Sequence, residues 1–187
     1  MNEIEVKAKL KDKEKAIKIL KEMGAEFLDT KIQKDATFWP NELKNNEEHH
    51  PLKTNFMRIR EQESNGIKKV IFTLKQPQTN QTDCIEHEIE IDEEDIPELK
   101  SIISMLGYYE YITIEKKRII VKIKDIEVCI DDVLNLGSYI ELEKFAPAEE
   151  SEKIQEELYS ILESLGVQKE DWVYDGYDIL VRNAQKK

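Results

Sequence analysis

Alternation with a period of two dominates this chain, and its most constraining feature is that the polar phase is ionic in one stretch after another. In Glu3-Ile4-Glu5-Val6-Lys7, an extended backbone sends Glu3, Glu5 and Lys7 to one face and Ile4 and Val6 to the other. The same phase then supplies Arg58 and Arg60, Lys75, Glu86 with Glu88 and Glu90, Lys116 and Arg118, Asp131, and Glu141 and Glu143. The intervening positions are mostly apolar, among them Ile59, Phe72, Leu74, Ile119, Val121, Val128, Ile130, Ile140 and Leu142.

Read for boundaries, the alternation predicts strands over 2–10, 30–39, 55–61, 67–75, 84–91, 111–123, 126–132 and 138–144, separated by turn signals such as Ser64-Asn65-Gly66 and Asn135-Leu136-Gly137. Three helices share one kind of ending. Ala16, Ile19, Leu20 and Met23 keep helical spacing up to Gly24; Ile96, Leu99, Ile103 and Leu106 do so up to Gly107, with Asp95 as candidate N-cap and Pro97 in the first turn; Ile154, Leu158, Ile161 and Leu165 do so up to Gly166. The stretches from Pro40 to Thr54 and from Gln76 to Asp83 read as loops, the first long and mobile, and the residues after Leu180 as a polar tail.

Three one-sided helices can cover the apolar faces of eight strands, which leaves the charged faces to converge on an interior. The expected fold is therefore α+β: a barrel of eight strands with a charged lumen and helices packed outside, forming one domain over 1–180 followed by a tail over 181–187. The chain's 187 residues suit a single core. The alternative is a solvated sheet face laced with cross-strand ion pairs, each worth a fraction of a kcal/mol. Such a face tolerates Ser, Thr and Gln freely, whereas the key positions here are almost all ionic.

Burying this many ions is unfavourable unless they pair or meet a ligand. Arg and Lys clusters suit a chain of phosphates, and paired carboxylates suit Mg²⁺ or Mn²⁺, which share hard oxygen ligands with phosphate and water. Both on one wall fit a metal together with a polyphosphate.

Composition narrows the partners. With 28 Lys and Arg against 40 Asp and Glu, the net charge is −12, which argues against a surface that coats nucleic acid or an anionic membrane. Cys84 and Cys129 form no CxxC pair, and no apolar run reaches membrane-spanning length, so the reading is a cytoplasmic protein with reduced thiols.

The ordered set Glu3-x-Glu5-x-Lys7, Arg58-x-Arg60, Lys75, Glu86-x-Glu88, Lys116-x-Arg118, Asp131 and Glu141-x-Glu143 resembles the CYTH superfamily of triphosphate tunnel enzymes. Within it, Val128 to Val133, Leu136-Gly137 and Ile140 to Lys144 are similar to the CyaB branch, the class IV adenylyl cyclases, with Gly176 standing where that branch often has Ser before Tyr177. The resemblance spans about residues 1 to 180 and implies an antiparallel eight-stranded tunnel holding a triphosphate such as ATP or tripolyphosphate, with a divalent metal, Mg²⁺ or Mn²⁺. Carried over, it implies metal ligation by Glu3, Glu5, Glu141 and Glu143 with Asp131 assisting, and phosphate binding by Lys7, Arg58, Arg60, Lys75, Lys116 and Arg118. Glu5, Asp131, Glu143 and Lys116 are the expected catalytic residues, and Glu86 and Glu88 are acidic wall positions without an assigned role. The expected activity is adenylyl cyclase, ATP to cyclic AMP and pyrophosphate. The same residues serve a triphosphatase acting on tripolyphosphate, thiamine triphosphate or a nucleoside triphosphate, or a silent polyphosphate-binding module. Analogy alone suggests a homodimer.

Other residues have plainer readings. His49 and His50 read as a solvated loop pair; His87, Lys117 and Asp132 point outward by phase; Phe38, Trp39, Trp172, Tyr174 and Tyr177 read as packing residues.

Overall fold

The computed structural model describes residues 2–45, 51–78 and 83–186. Its strands are β1 (Asn2–Lys9), β2 (Glu26–Pro40), β3 (Phe56–Ser64), β4 (Ile67–Pro77), β5 (Asp83–Ile91), β6 (Tyr108–Ile123), β7 (Ile126–Val133), β8 (Gly137–Ala146) and the short β9 (Trp172–Val173). Among the described residues four α-helices are interspersed: α1 (Lys13–Glu22), α2 (Ile96–Met105), α3 (Ser151–Ser164) and α4 (Tyr177–Gln185).

The strand order is β5-β4-β3-β2-β6-β7-β8-β1, every pairing is antiparallel, and β1 returns to β5 to close the barrel. The closing seam is short, with Glu3 opposite Cys84 and Ile4 opposite Asp83, and the rest of β1 on that side is covered by β9 through Lys7 and Ala8. Asn2 donates a 2.6 Å hydrogen bond to Asp83 across the seam. At the β3–β4 hairpin, Asn65 and Gly66 both take positive φ, 51° and 76°, the conformation a two-residue loop needs to match strand twist.

The period of two sorts the strands as expected. Ile4, Val6, Val121, Val128, Ile130, Ile140 and Leu142 face outward and are buried under α1 and α3. Phe38, Met57, Ile59 and Val70 pack with Ile103 of α2 on another side. Asp12 caps α1 by accepting from the Lys15 amide at 2.9 Å, and α1, α2 and α3 are each followed by a glycine with positive φ: Gly24, Gly107 and Gly166. Asp95 occupies the N-cap position of α2 without a side-chain cap bond, a correction to its expected role.

The larger correction concerns the C-terminus. In place of a tail after Leu180, α4 runs to Gln185, and its apolar face plugs one end of the barrel: Tyr177, Ile179 and Val181 join Trp39, Phe56, Tyr111 and Tyr139 in a buried cluster. The Trp39 indole donates to Asp178 at 3.0 Å and stacks on Tyr111 at 4.0 Å. Strand β2 also begins earlier than read, at Glu26, because a bulge between Phe27 and Asp29 lets it turn the corner from α1. The described part of the first loop includes a 3-10 turn over Asn41–Leu43; His49 and His50 lie outside the described residues.

Candidate active site

The lumen is a cavity of about 570 Å³, open at one end and closed by α4 at the other. Every candidate site residue except Asp131 lines it, and Asp131 stands fully buried behind Arg118. Lys117 is exposed, and Asp132 points away from the lumen, bonded to Lys13 and, at 2.7 Å, to Ser138.

Register decides which charges meet. On β1 and β8, Glu5 lies opposite Glu143 and Lys7 opposite Glu141, so the two Glu-x-Glu motifs stand side by side. Cations gather on the facing strands: Lys31 on β2, Arg58 and Arg60 on β3, Lys75 on β4, Lys116 and Arg118 on β6. The acidic wall therefore belongs to β1, β7, β8 and β5, and the basic wall to β2, β3, β4 and β6.

Near the plugged end the charges are balanced. Lys7 Nζ lies 3.0 Å from Glu141, and Arg118 forks onto Asp131 at 2.8 and 2.6 Å while also reaching Glu141. Arg60 forks onto Asp35 at 2.7 and 2.8 Å, and Lys116 stands 3.8 Å from both Asp35 and Asp131. Burial pushes the Glu141 carboxyl up, but Lys7, Arg118 and Lys116 outweigh it and hold the group well below the usual range. Lys116, by contrast, is pulled down to about 8 by burial and by Arg118. Tyr177 lies between two lysines, its ring centre 4.6 Å from Lys7 Nζ and 4.8 Å from Lys116 Nζ.

Toward the open end two carboxylates are less well matched. Glu3 is raised to about 7 by burial, a rise that Glu86 and Glu5 reinforce and Lys75 opposes. Glu143 is raised well above the usual carboxylate range by burial and then by Glu3, with Arg118 at 3.7 Å too distant to compensate. Glu86 is instead pulled down to about 2, where Lys75 and Arg58 overcome its burial. Glu88, at the rim, accepts from Arg58 at 2.9 Å and from Thr73 at 2.9 Å. Glu3, Glu5 and Glu143 thus bring three hard oxygen donors together with only long ion pairs around them, Lys75 at 3.5 Å from Glu3 and 3.8 Å from Glu5, Lys7 at 3.5 Å from Glu5 and Arg118 at 3.7 Å from Glu143, a donor set that suits a divalent cation.

Residues 1–177 match the family model described as the CYTH domain. The chain belongs to the CYTH family. It is 34% identical over 178 residues to a protein of Methanocaldococcus jannaschii named "Putative adenylate cyclase", covering 95% of this chain and 97% of that one. Among solved structures, a protein of Pyrococcus horikoshii superimposes with a TM-score of 0.81 at 26% identity, over 99% of both chains. A protein of Hippeastrum, described as a "putative adenylyl cyclase" that reveals a dominant triphosphatase activity, shares the fold at 17% identity and a TM-score of 0.61, over 94% of this chain and 91% of that one.

CYTH tunnels bind triphosphates and are metal-dependent enzymes, and in this CYTH tunnel several lumen residues escaped the sequence reading. Asp35, Lys31 and Gln33 of β2 share the lumen phase, but Lys34 on the outer phase blurs the alternation there. Glu127 is in phase with Asp131, yet Cys129 interrupts the ionic run. Tyr177 does pack, as expected, but inside the lumen; Trp172 packs outside, stacked on Tyr159 at 3.9 Å. His87 is exposed as its phase required. Among the described residues no helix is long and apolar enough to cross a membrane.

Proposed function

We propose that this CYTH domain is a divalent-metal-dependent adenylyl cyclase, forming cyclic AMP and pyrophosphate from ATP. The observation that carries the reading is the cluster of Glu3, Glu5 and Glu143, in which burial and neighbouring carboxylates raise Glu3 and Glu143, facing a row of cations across one lumen. The 34% identical relative supports the choice of reaction by its name.

Glu3, Glu5 and Glu143 would hold Mg²⁺ or Mn²⁺; Glu141 and Asp131 join them only by releasing Lys7 or Arg118. When bound, the cation lowers the pKa of the ribose 3′-hydroxyl and screens the phosphate oxygens. Arg58, Arg60, Lys75, Lys116 and Arg118 bind the triphosphate and hold the α-phosphorus in line with the attacking oxygen, converting an intermolecular encounter into an oriented one. As pyrophosphate leaves, Lys116 and Arg118 stabilise its growing charge from fixed positions inside a site shielded from bulk water. Asp35 and Glu86 keep Arg60 and Lys75 in place, and Lys7 and Tyr177 close the far end.

Triphosphate hydrolysis is the second reading, favoured by the activity ascribed to the Hippeastrum protein of the same fold. The test is to incubate the protein with ATP, tripolyphosphate and thiamine triphosphate in Mg²⁺ or Mn²⁺ and to quantify cyclic AMP, pyrophosphate and orthophosphate. Cyclic AMP with equimolar pyrophosphate from ATP supports the cyclase. Orthophosphate without cyclic AMP moves the reading to a hydrolase, and metal-dependent binding without turnover reduces it to a binding module.

A further inference from the structure

Cys84 lines the lumen, and a second sulfur lies buried beneath its wall. Cys129 lies on β7 in the inward phase, is completely buried, and sits between Glu127 and Asp131 along its own strand and opposite Glu141 on β8. Glu127 is directly opposite Glu143. The thiol donates to the Glu127 carboxylate at 3.6 Å, and one ligand atom from each of Glu127, Cys129 and Glu143 lies within 4.8 Å of the others. Two ligands on a tetrahedral Zn²⁺, bound at about 2.0 to 2.3 Å, stand roughly 3.5 Å apart. The sulfur–oxygen pair already has that spacing, and Glu143 needs only a side-chain adjustment to join it.

The geometry points to a second cation position in the tunnel, formed by Glu127, Cys129 and Glu143, that takes borderline or thiophilic divalent ions such as Zn²⁺ and Co²⁺ in preference to Mg²⁺. The thiolate supplies this selectivity, because soft sulfur favours Zn²⁺ and Co²⁺ while Mg²⁺ seeks oxygen. On binding, the sulfur–hydrogen bond breaks, the proton leaves to solvent and a sulfur–metal bond forms, so the step needs no oxidant or reductant. The position rests on the proposed function only in sharing Glu143. A Zn²⁺ ion seated there therefore competes with the ion that Glu3, Glu5 and Glu143 would hold.

The test is a Co²⁺ titration of the full-length protein after chelator treatment, read by absorption. A thiolate-to-cobalt charge-transfer band should grow to saturation at one ion per chain. It should vanish in Cys129→Ser and persist in Cys84→Ser, while Glu127→Gln should weaken Co²⁺ binding by about tenfold or more. Thermal unfolding of each variant verifies that it is folded. No band in the wild type, or a band that survives Cys129→Ser, overturns the site. Mn²⁺-dependent tripolyphosphate binding, measured in parallel, separates the two claims. A missing band with that binding intact removes only the thiolate site, whereas a band without that binding upholds the site and removes the proposed function.

Discussion

Glu141 and Glu143 stand two residues apart on β8, on the same face of one tunnel, and their ionisation is driven in opposite directions. Glu141 meets Lys7 and Arg118; Glu143 meets Glu5 across the strand pair and Glu3 diagonally. Burial acts on both with the same sign, so the difference comes from neighbours alone. The lumen shows a division of labour: in the plugged half the cations are closely matched by structural carboxylates, and in the open half Glu3 and Glu143 crowd against other carboxylates with no cation among the described residues nearer than 3.5 Å.

The two halves of the lumen should differ most visibly at Glu143. Glu143→Gln should lower turnover by about a hundredfold or more while leaving the fold at least as stable, since it removes a repelled charge. Steady-state rates and a melting curve check both halves of that statement. Glu141→Gln should do the reverse on stability, costing about 3 kcal/mol by taking from buried Lys7 and Arg118 a carboxylate they share and leaving Lys7 only the longer contact to Glu5 at 3.5 Å. Denaturant unfolding measures it, and a melting change of the same sign in both variants would dissolve the distinction between the two halves.

On the basic wall, Arg58→Ala should weaken tripolyphosphate binding by about tenfold, read by calorimetry. An unaltered dissociation constant would remove Arg58 from the phosphate site. The smallest effect is a pH dependence. Because Glu3 is raised to about 7 in the fold, it contributes stability that is fully present below the ordinary carboxylate value of 4.5 and is lost as pH rises through 7. The chelator-treated protein should therefore lose a few degrees in melting temperature between about pH 5.5 and about pH 8, and Mn²⁺ should restore more of it at the higher pH. A Glu3→Gln variant should show a flatter profile.

The barrel was legible because its alternation is continuous: β1, β3, β6 and β8 each carry ions in one phase and aliphatics in the other. Charge balance was not legible, because it depends on register. Nothing local to Glu141-x-Glu143 says that one faces Lys7 and the other Glu5; the β1–β8 pairing decides it. Asp35 was hidden by Lys34, a charge on the outer phase of its own strand. Tyr177 looked like ordinary packing because its place in the lumen depends on β9 filling the gap beside β1 and steering α4 into the barrel end.

The central claim is that metal and triphosphate meet in this tunnel through Glu143's half of the lumen. Its most direct test is calorimetric titration of tripolyphosphate into wild-type and Glu143→Gln protein, with Mn²⁺ and with chelator. The account predicts that Mn²⁺ tightens wild-type binding by at least about tenfold and that Glu143→Gln abolishes this gain while retaining the metal-independent part. Equal affinity in Mn²⁺ and chelator for the wild type, or an undiminished gain in Glu143→Gln, would contradict it.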